Sequence, residues 1–503
     1  MKLFTVEQIR AWDAYTMEHE PVSSVDLMER AASALADWLL AAYAPTGELR
    51  VGGRSYLFCG MGNNGGDGLV VARLLSQAGW PVEVFVVRHA ERSSPDFQIN
   101  LDRFEKIGNV TWVEPEHPVF PEIPPDSLVI DALLGTGLSR PASGILAEII
   151  GKINASDATV VAVDIASGLF ADAPNGPGDP IVRPTHTVTF QRPKLAFMQP
   201  KLAEFVGQGH VLDIGLSTEF DEKTDTPFFL TDAPEIQRIQ KPRSQFSHKG
   251  TYGHALLLVG SFGKIGAAVL AARACLRSGV GLLTVQVPGC GYDILQTTAP
   301  EAMCLIDPDE QTHTTVPDLA PYQSIGVGPG LGKDEKTAAF LAELLEKAGK
   351  ANVPLVVDAD ALNLLSEDKN LFAKLPPGSL LTPHPKEFER LAGKWANDYE
   401  KLALLRDFCQ KYRVVVTLKG AYTAIGTPEG EVHFNTTGNP GMATGGTGDV
   451  LTGVLTALRA QGYGPVEAAK FGVFQHGLAG DRAVEKRGFS TLIAGDLVEH
   501  LGW

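Results

Sequence analysis

Cysteine is scarce in this chain of 503 residues. Only Cys59, Cys275, Cys290, Cys304 and Cys409 occur, scattered and with no CxxC pair. That excludes a disulfide framework and a cysteine zinc site, and it suits a reducing compartment. Basic blocks are missing as well: 43 Lys and Arg stand against 59 Asp and Glu, a formal net charge of -16. Nucleic-acid binders present a basic face, so no nucleic-acid partner is expected. The acidic balance repels phosphates at long range, so any phosphate site must work locally, through backbone N–H groups or bound cations. No apolar run approaches the roughly 20 residues that span a bilayer. The opening MKLFTVEQIRAWDAYTMEHE places Glu7, Asp13 and Glu18 where a secretory leader needs an apolar core. A cytoplasmic protein with no membrane partner is expected.

What is present reads as globular. With 44% hydrophobic and 20% charged residues, the length suits two large domains or three ordinary ones. Thr5 and Gln8 form a capping-box pattern before a helix. Leu27, Met28, Ala31, Ala32, Leu35 and Leu39 keep a helical period through a second. Short β-rich runs then alternate with helical stretches: 55–59, 82–87, 127–134, 159–165 and 186–190. That rhythm predicts an α/β fold with a mostly parallel sheet. The polar stretch 216–240 interrupts it and is the linker candidate, with the connector proper at 217–224. Afterwards the alternation restarts at 254–260, 281–287, 324–328, 354–360, 379–384 and 413–420. Two α/β domains are expected, 1–216 and 225–503, each with its own site.

In the first half, GMGNNGGDG (60–68) follows a strand and opens a helix. Gly60, Gly62 and Gly65 fit GxGxxG, a weak signal alone. A dinucleotide-binding dehydrogenase also wants an acid at the end of the next strand, and here Arg88 and His89 stand there. Asp131 ends another strand before a Gly-Thr-Gly loop with Arg140, and Asp164 and Ser167 follow a third. Ligands of open parallel sheets sit beyond such strand ends. Three converging loops offer oxygen ligands to a cation and a carboxylate for proton transfer. Each motif alone reads more readily as a capped tight turn; it is their joint appearance that argues for a site.

NNGGDG, DALLGTGLSRP and VAVDIASGL together resemble the N-terminal, Rossmann-like three-layer domain of NAD(P)H-hydrate epimerases. The resemblance covers about residues 1–216. It implies that Asn63, Asn64, Gly65, Gly66 and Asp67, with Gly135, Thr136, Gly137, Leu138, Ser139, Arg140 and Pro141, hold the hydrated nicotinamide nucleotide. It implies potassium on Asn64, Asp131 and Ser167, and Asp164 as the substrate-contacting acid/base. Ala166 stands where the family usually has proline.

In the second half, NTTGNPGMATGGTGDVLTGVLTALRAQG (435–462) is glycine-rich up to Gly448 and then turns into an apolar-periodic helix. Successive backbone N–H groups at a helix start make an anion site. GxxxxGK[ST] is absent and the loop holds no lysine, so this is not a P-loop. Asp449 is either a helix cap or a base facing the bound anion; the glycines before it favour the base. His384, Lys419 and Thr423 lie at other strand ends, and Asp358, Asp360 and Asn363 read as either a magnesium shell or buried caps.

HKGTYGHALLLVGSFGKIGAA, TPHPKEFERL, LKGAYT and GNPGMATGGTGDVLTG resemble the ribokinase-like domain of ADP-dependent NAD(P)H-hydrate dehydratases, over about residues 225–503. The resemblance implies hydrate contacts from Ala267 (or its neighbour Ala268), Gly330, His384 and Asp449. It implies contacts to ADP or AMP from Lys419, Gly420, Ala421, Tyr422, Thr423 and Gly448, with magnesium accompanying ADP. The whole chain looks like a bifunctional NAD(P)H-hydrate repair enzyme, and a homo-oligomer is expected. Two rivals stand beside it: a small-molecule kinase on the same ribokinase-like fold, and a non-catalytic scaffold role for the first half.

Overall fold

The computed structural model describes residues 1–43 and 54–502. It divides into two compact units, Lys2–Thr226 and Pro227–Trp503, the latter together with Met1. Among the described residues no helix is long and apolar enough to cross a membrane.

The first unit is built on seven strands: β1 (Ser55–Cys59), β2 (Val82–Val87), β3 (Val110–Val113), β4 (Leu128–Ala132), β5 (Thr159–Val163), β6 (His186–Phe190) and β7 (Gln208–Leu212). They form one parallel sheet in the order β3-β2-β1-β4-β5-β6-β7. The central strands SYLFC and LVIDA are buried along their whole length, because helices cover both faces. Leu35 and Leu39 of helix Ser24–Tyr43 and Leu69 and Val70 of helix Asn63–Gln77 pack against Leu57, Val84, Ile130 and Val161. The capping box forms: the Thr5 side chain accepts from the Gln8 N–H, and the Gln8 side chain accepts from the Thr5 N–H.

The second unit carries ten strands: β8 (Phe228–Thr231), β9 (His254–Leu258), β10 (Leu282–Pro288), β11 (Met303–Asp307), β12 (Ser324–Val327), β13 (Leu355–Val357), β14 (Leu380–Leu381), β15 (Val415–Leu418), β16 (Ala424–Gly426) and β17 (Val432–Asn435). Their order is β11-β10-β9-β12-β13-β14-β15-β16-β17-β8. The sheet is parallel as far as β15; β16 then runs antiparallel to both β15 and β17. Helix Thr447–Ala460 lies almost wholly inside, with Val450, Val454, Leu455 and Leu458 in the core.

The stretch expected as a linker is structured, which corrects the reading of 216–240. Residues Thr218–Lys223 form a short helix whose Phe220 stacks on Trp12, with ring centroids 6.0 Å apart. Phe228–Thr231 is the edge strand β8, paired with β17. Helix Ala233–Ile239 is capped by Asp232 and buries Ile236. One aromatic or aliphatic anchor per short element suffices here, too few to produce a visible period.

Candidate active sites

In each sheet the strand order turns from descending to ascending next to its third strand, between β1 and β4 in the first and between β9 and β12 in the second. Crevices form where the loops leaving two neighbouring strands diverge. The sequence motifs stand at these two points: NNGGDG follows β1 and LGTG follows β4, while SFGK follows β9 and GPGLG follows β12.

A cavity of about 650 Å³ opens at the first point. Asn63, Asn64, Asp67, Gly135–Arg140 and Asp164 line it, as expected from the sequence. Gly65 and Gly66 do not. A Cβ on Gly65 would sit 1.8 Å from the Gly60 carbonyl oxygen, and one on Gly66 would sit 2.7 Å from the Met28 sulfur. These glycines let the helix close on the strand end and on its neighbour helix, so their role is packing. Pro141 lines an adjoining cavity of about 570 Å³ instead.

Asp164 is held in the left-handed region, φ +65°, by its N–H bond to the Val188 carbonyl (2.8 Å). Its Oδ1 accepts from Lys194 Nζ (2.6 Å), Thr189 Oγ1 (2.9 Å) and the Phe190 N–H (3.2 Å). The Lys194 side chain is only 2% exposed, so this ammonium is committed to that pair. Among the described residues Oδ2 of Asp164 accepts nothing, and it remains for a ligand. Asp13 shares the cavity wall; burial, and then the Asp164 charge, push its carboxyl up to about 6. Asp67 is pushed well above the usual carboxylate range by burial and by Asp164.

Behind the cavity, Asp131 is fully buried. It accepts from Ser167 Oγ (2.5 Å), the Ser167 N–H (2.8 Å) and the Leu133 N–H (3.3 Å), yet burial still raises it to about 6. Asn64 is buried too, and its side-chain nitrogen has no partner. The oxygen and nitrogen of an amide are assigned by their hydrogen bonds, so an unpartnered end can equally be the oxygen. A buried carboxylate, a hydroxyl and an amide unsatisfied among the described residues make a donor set that fits a hard monovalent cation.

The second site is assembled around helix Thr447–Ala460. Its N-cap is Gly446 at φ +91°, a conformation that suits glycine, and no side chain caps it. Asp449 lies inside the first turn, and among the described residues its carboxylate has no hydrogen-bond partner. The cap reading therefore falls away. Burial, followed by the nearby Asp358 charge, raises its carboxyl to about 6, against the lowering pull of Lys419. Lys419 reaches the loop from the end of β15. Its Nζ pairs with Asp358 Oδ1 (2.8 Å) and lies 3.3 Å from where a Gly448 Cβ would be. An ammonium thus stands at the glycine loop although the loop contains no lysine.

Around this centre, the His384 Nδ1 accepts from the Lys386 and Glu387 N–H groups, which makes it the cap of the next helix. Its other ring nitrogen faces Glu387 at 3.4 Å, and burial and Lys419 depress its basicity. Gly330 adopts φ +64°, and a Cβ there would meet Ala267 at 3.1 Å; Ala268 is instead in the core. Of the two alanines, Ala267 is the one beside Gly330. Gly420, Ala421 and Tyr422 form the exposed turn between β15 and β16, and Thr423 closes it on the Gly420 carbonyl (2.9 Å).

The magnesium-shell reading is not supported. Asp358 is taken by Lys419 and Thr452, Asp360 by Lys264 and the Gly332 N–H, and Asn363 by Arg390. Among the described residues no group of three His, Cys, Asp or Glu side chains is placed to hold a metal.

Sequence reasoning missed Asp13, Lys194, Arg192 and Arg10, all of which line the first cavity. A signal existed for Asp13: Ile9, Asp13 and Met17 follow at intervals of four on one helix and line the cavity together, an acid in an apolar stripe. Lys194 carried a weaker one, as a lone charge before the apolar run LAFM.

A family model described as NAD(P)H-hydrate dehydratase matches residues 255–501, and one described as YjeF-related protein N-terminus matches residues 24–196. A bifunctional NAD(P)H-hydrate repair enzyme of Moorella thermoacetica is 37% identical, spanning 100% of this chain and 96% of its own. That of Coxiella burnetii is 34% identical, spanning 99% of this chain and 98% of its own. A solved ADP/ATP-dependent NAD(P)H-hydrate dehydratase from Bacillus subtilis, co-crystallized with ATP/Mg2+, is 30% identical; the match covers 54% of this chain and 96% of that one, with a TM-score of 0.46. With relatives this similar over its whole length, the chain belongs to the family of bifunctional NAD(P)H-hydrate repair enzymes.

Proposed function

We propose that the cavity between the β1 and β4 loops interconverts the R and S epimers of NAD(P)H hydrates. The glycine-loop site dehydrates the S epimer at the expense of ADP, giving NAD(P)H, AMP and phosphate. The observation that carries this reading is which carboxylates are free. Asp307 and Asp358 accept on both oxygens, whereas Oδ2 of Asp164 and both oxygens of Asp449 accept none among the described residues. Structural acids are spent on hydrogen bonds; Asp164 and Asp449, like Asp13 and Asp67 in the first cavity, keep oxygens free beside binding loops.

In the dehydratase, hydroxide leaves poorly from C6 of the hydrate. Asp449 takes the hydroxyl proton while the oxygen attacks the β-phosphorus of ADP and AMP departs. The phosphate ester then leaves from C6 as the C5 proton is lost, which restores the dihydronicotinamide. The glycine-loop N–H groups and Lys419 stabilise the charge on the transferring group. Ala267, Gly330 and His384 line the hydrate side, and Gly420–Thr423 and Gly448 the nucleotide side. Magnesium in this site would come with the nucleotide phosphates, the carboxylates of Asp358 and Asp360 being paired with lysines.

In the epimerase, Asn63, Asn64, Asp67 and the Gly135–Arg140 loop hold the hydrate, and Asp164 moves a proton at its C6 hydroxyl. Asn64, Asp131 and Ser167 would hold potassium, which supplies a fixed positive charge behind the bound nucleotide. The five unpaired cysteines suit a cytoplasmic setting. Exposed Met303, Leu305 and Ile306 on β11, an edge strand of its sheet, support assembly of copies, which light scattering would test.

The test is to incubate the protein with mixed hydrate epimers, with and without ADP, ATP and potassium, following reduced-nicotinamide absorbance and free phosphate. Appearance of a phosphorylated organic product in place of free phosphate would establish the kinase reading instead.

A further inference from the structure

The N-terminal cavity holds more acid than one proton transfer uses. Among the described residues four carboxylates line it: Asp13, Asp67, Asp96 and Asp164. Asp96 is engaged by Ser24 Oγ (2.5 Å), and Asp67 belongs to the glycine-loop turn at the start of its helix. Asp13 comes from a different element, helix Val6–His19, on the apolar stripe of Ile9 and Met17. It has no hydrogen-bond partner among the described residues and faces both members of the Asp164–Lys194 pair. It also lies outside the residues matched by the N-terminal family model, which begin at 24.

We propose that Asp13 is the second acid–base group of the epimerase, carrying the proton that the ring nitrogen N1 receives while Asp164 removes the one on the C6 hydroxyl. This rests on the epimerase reading of the cavity. Inverting C6 requires one of its bonds to open. Asp164 takes the hydroxyl proton, and the former O–H pair becomes the second bond of an aldehyde C=O. The C6–N1 pair leaves to N1, which takes the Asp13 proton. A half-turn about C5–C6 presents the other aldehyde face. N1 then returns its proton to Asp13 and closes on C6, and the oxygen recovers its proton from Asp164. No atom is gained or lost, no oxidant is needed, and both carboxyls end as they began. A single carboxylate would have to serve oxygen and nitrogen at once, and N1 would leave as an anion.

The environments of the two acids divide the roles. Asp164 is paired with a buried ammonium, as suits the group that starts ionised. Asp13 lacks such a partner, and burial and the Asp164 charge raise it to about 6, as suits the group that starts protonated. Facing it are Asp164 and Lys194; Asp67, Asp96, His89, Arg10 and Arg192 complete the charged lining.

The test uses the full chain, pure R epimer, no ADP, and chromatographic separation of the epimers. For the parent, kcat/KM falls as pH rises through about 6, where Asp13 loses its proton. Asp13→Asn is expected to lose at least ~100-fold of the rate above the spontaneous one and to lose that limb. Asp67→Asn keeps the limb. If the Asn variant melts lower than the parent, Asp13→Glu decides: tenfold or greater recovery over Asn supports the assignment, and no recovery overturns it. The assignment also fails if Asp13→Asn stays within threefold of the parent, or if the limb vanishes in Asp67→Asn instead. A parent that does not interconvert the epimers overturns the epimerase reading together with it, which separates that failure from one confined to Asp13.

Discussion

At the β1–β4 point the first unit lines a cavity with four carboxylates and one fully committed ammonium, whereas the second unit at its own site offers backbone N–H groups, two ammonium groups each paired with an aspartate, and one free carboxylate. The topology of the two crevices is alike; the chemistry differs because the tasks differ. Moving protons on a bound ring needs titratable side chains whose environments drive them apart. Stabilising a phosphoryl group in flight needs fixed dipoles, which backbone amides supply without adding negative charge. A second acid beside a phosphate would repel it, and accordingly Asp358 and Asp360 are each neutralised by a lysine.

This contrast can be broken first at Asp449. Asp449→Asn is expected to cost 10²–10⁴-fold in dehydration, roughly 3–5 kcal/mol of barrier, with ADP affinity and epimerisation unchanged. In the parent, dehydration should rise with pH through about 6, because a base must be ionised. Turnover within a few-fold of the parent, or a flat profile, would return Asp449 to a passive place. Asp164→Asn is the counterpart: epimerisation is lost while dehydration of the S epimer persists.

Lys194→Met comes next. It strands the Asp164 carboxylate against an apolar neighbour, and removing one member of a buried pair costs about 3 kcal/mol. The N-terminal unit should melt lower and epimerise little, while S-epimer dehydration continues. Equal loss of both activities would contradict the division of labour.

Gly65→Ala tests whether this glycine packs or binds. Its new Cβ would meet the Gly60 carbonyl at 1.8 Å, so the helix must shift, at about 1–3 kcal/mol. Calorimetry should register the loss in the first unit alone. The smallest effect is expected from cutting at the boundary of the two units. Residues 227–503 should dehydrate the S epimer as the full chain does, whereas a fragment beginning at 241 lacks β8 and the Ile236 anchor and should melt lower.

Much of this was legible in the chain itself. SYLFC, VEVFVV and HTVTF coincide with β1, β2 and β6, because β-branched and aromatic residues dominate strands that are mostly buried. VTWV, QGHVL and MCLID went unread; β3, β7 and β11 are edge strands or half exposed, and their polar faces dilute the pattern. The glycine loops announced the two crevices, but not which glycines face a ligand. Gly65 and Gly66 look like binding glycines in sequence and act as packing glycines in space.

The order of residues by itself determined two α/β units and the glycine- and aspartate-bearing strand ends, since periodicity and turn composition are local properties written residue by residue. Only the tertiary structure decided which charges meet. Asp164 and Lys194, separated by 30 positions, and Asp358 and Lys419, separated by 61, close to ion pairs, and helix Val6–His19 brings Asp13 to the same cavity as Asp164. Electrostatic partnership depends on distance and burial, and both exist only once the sheet order has placed the strand ends side by side.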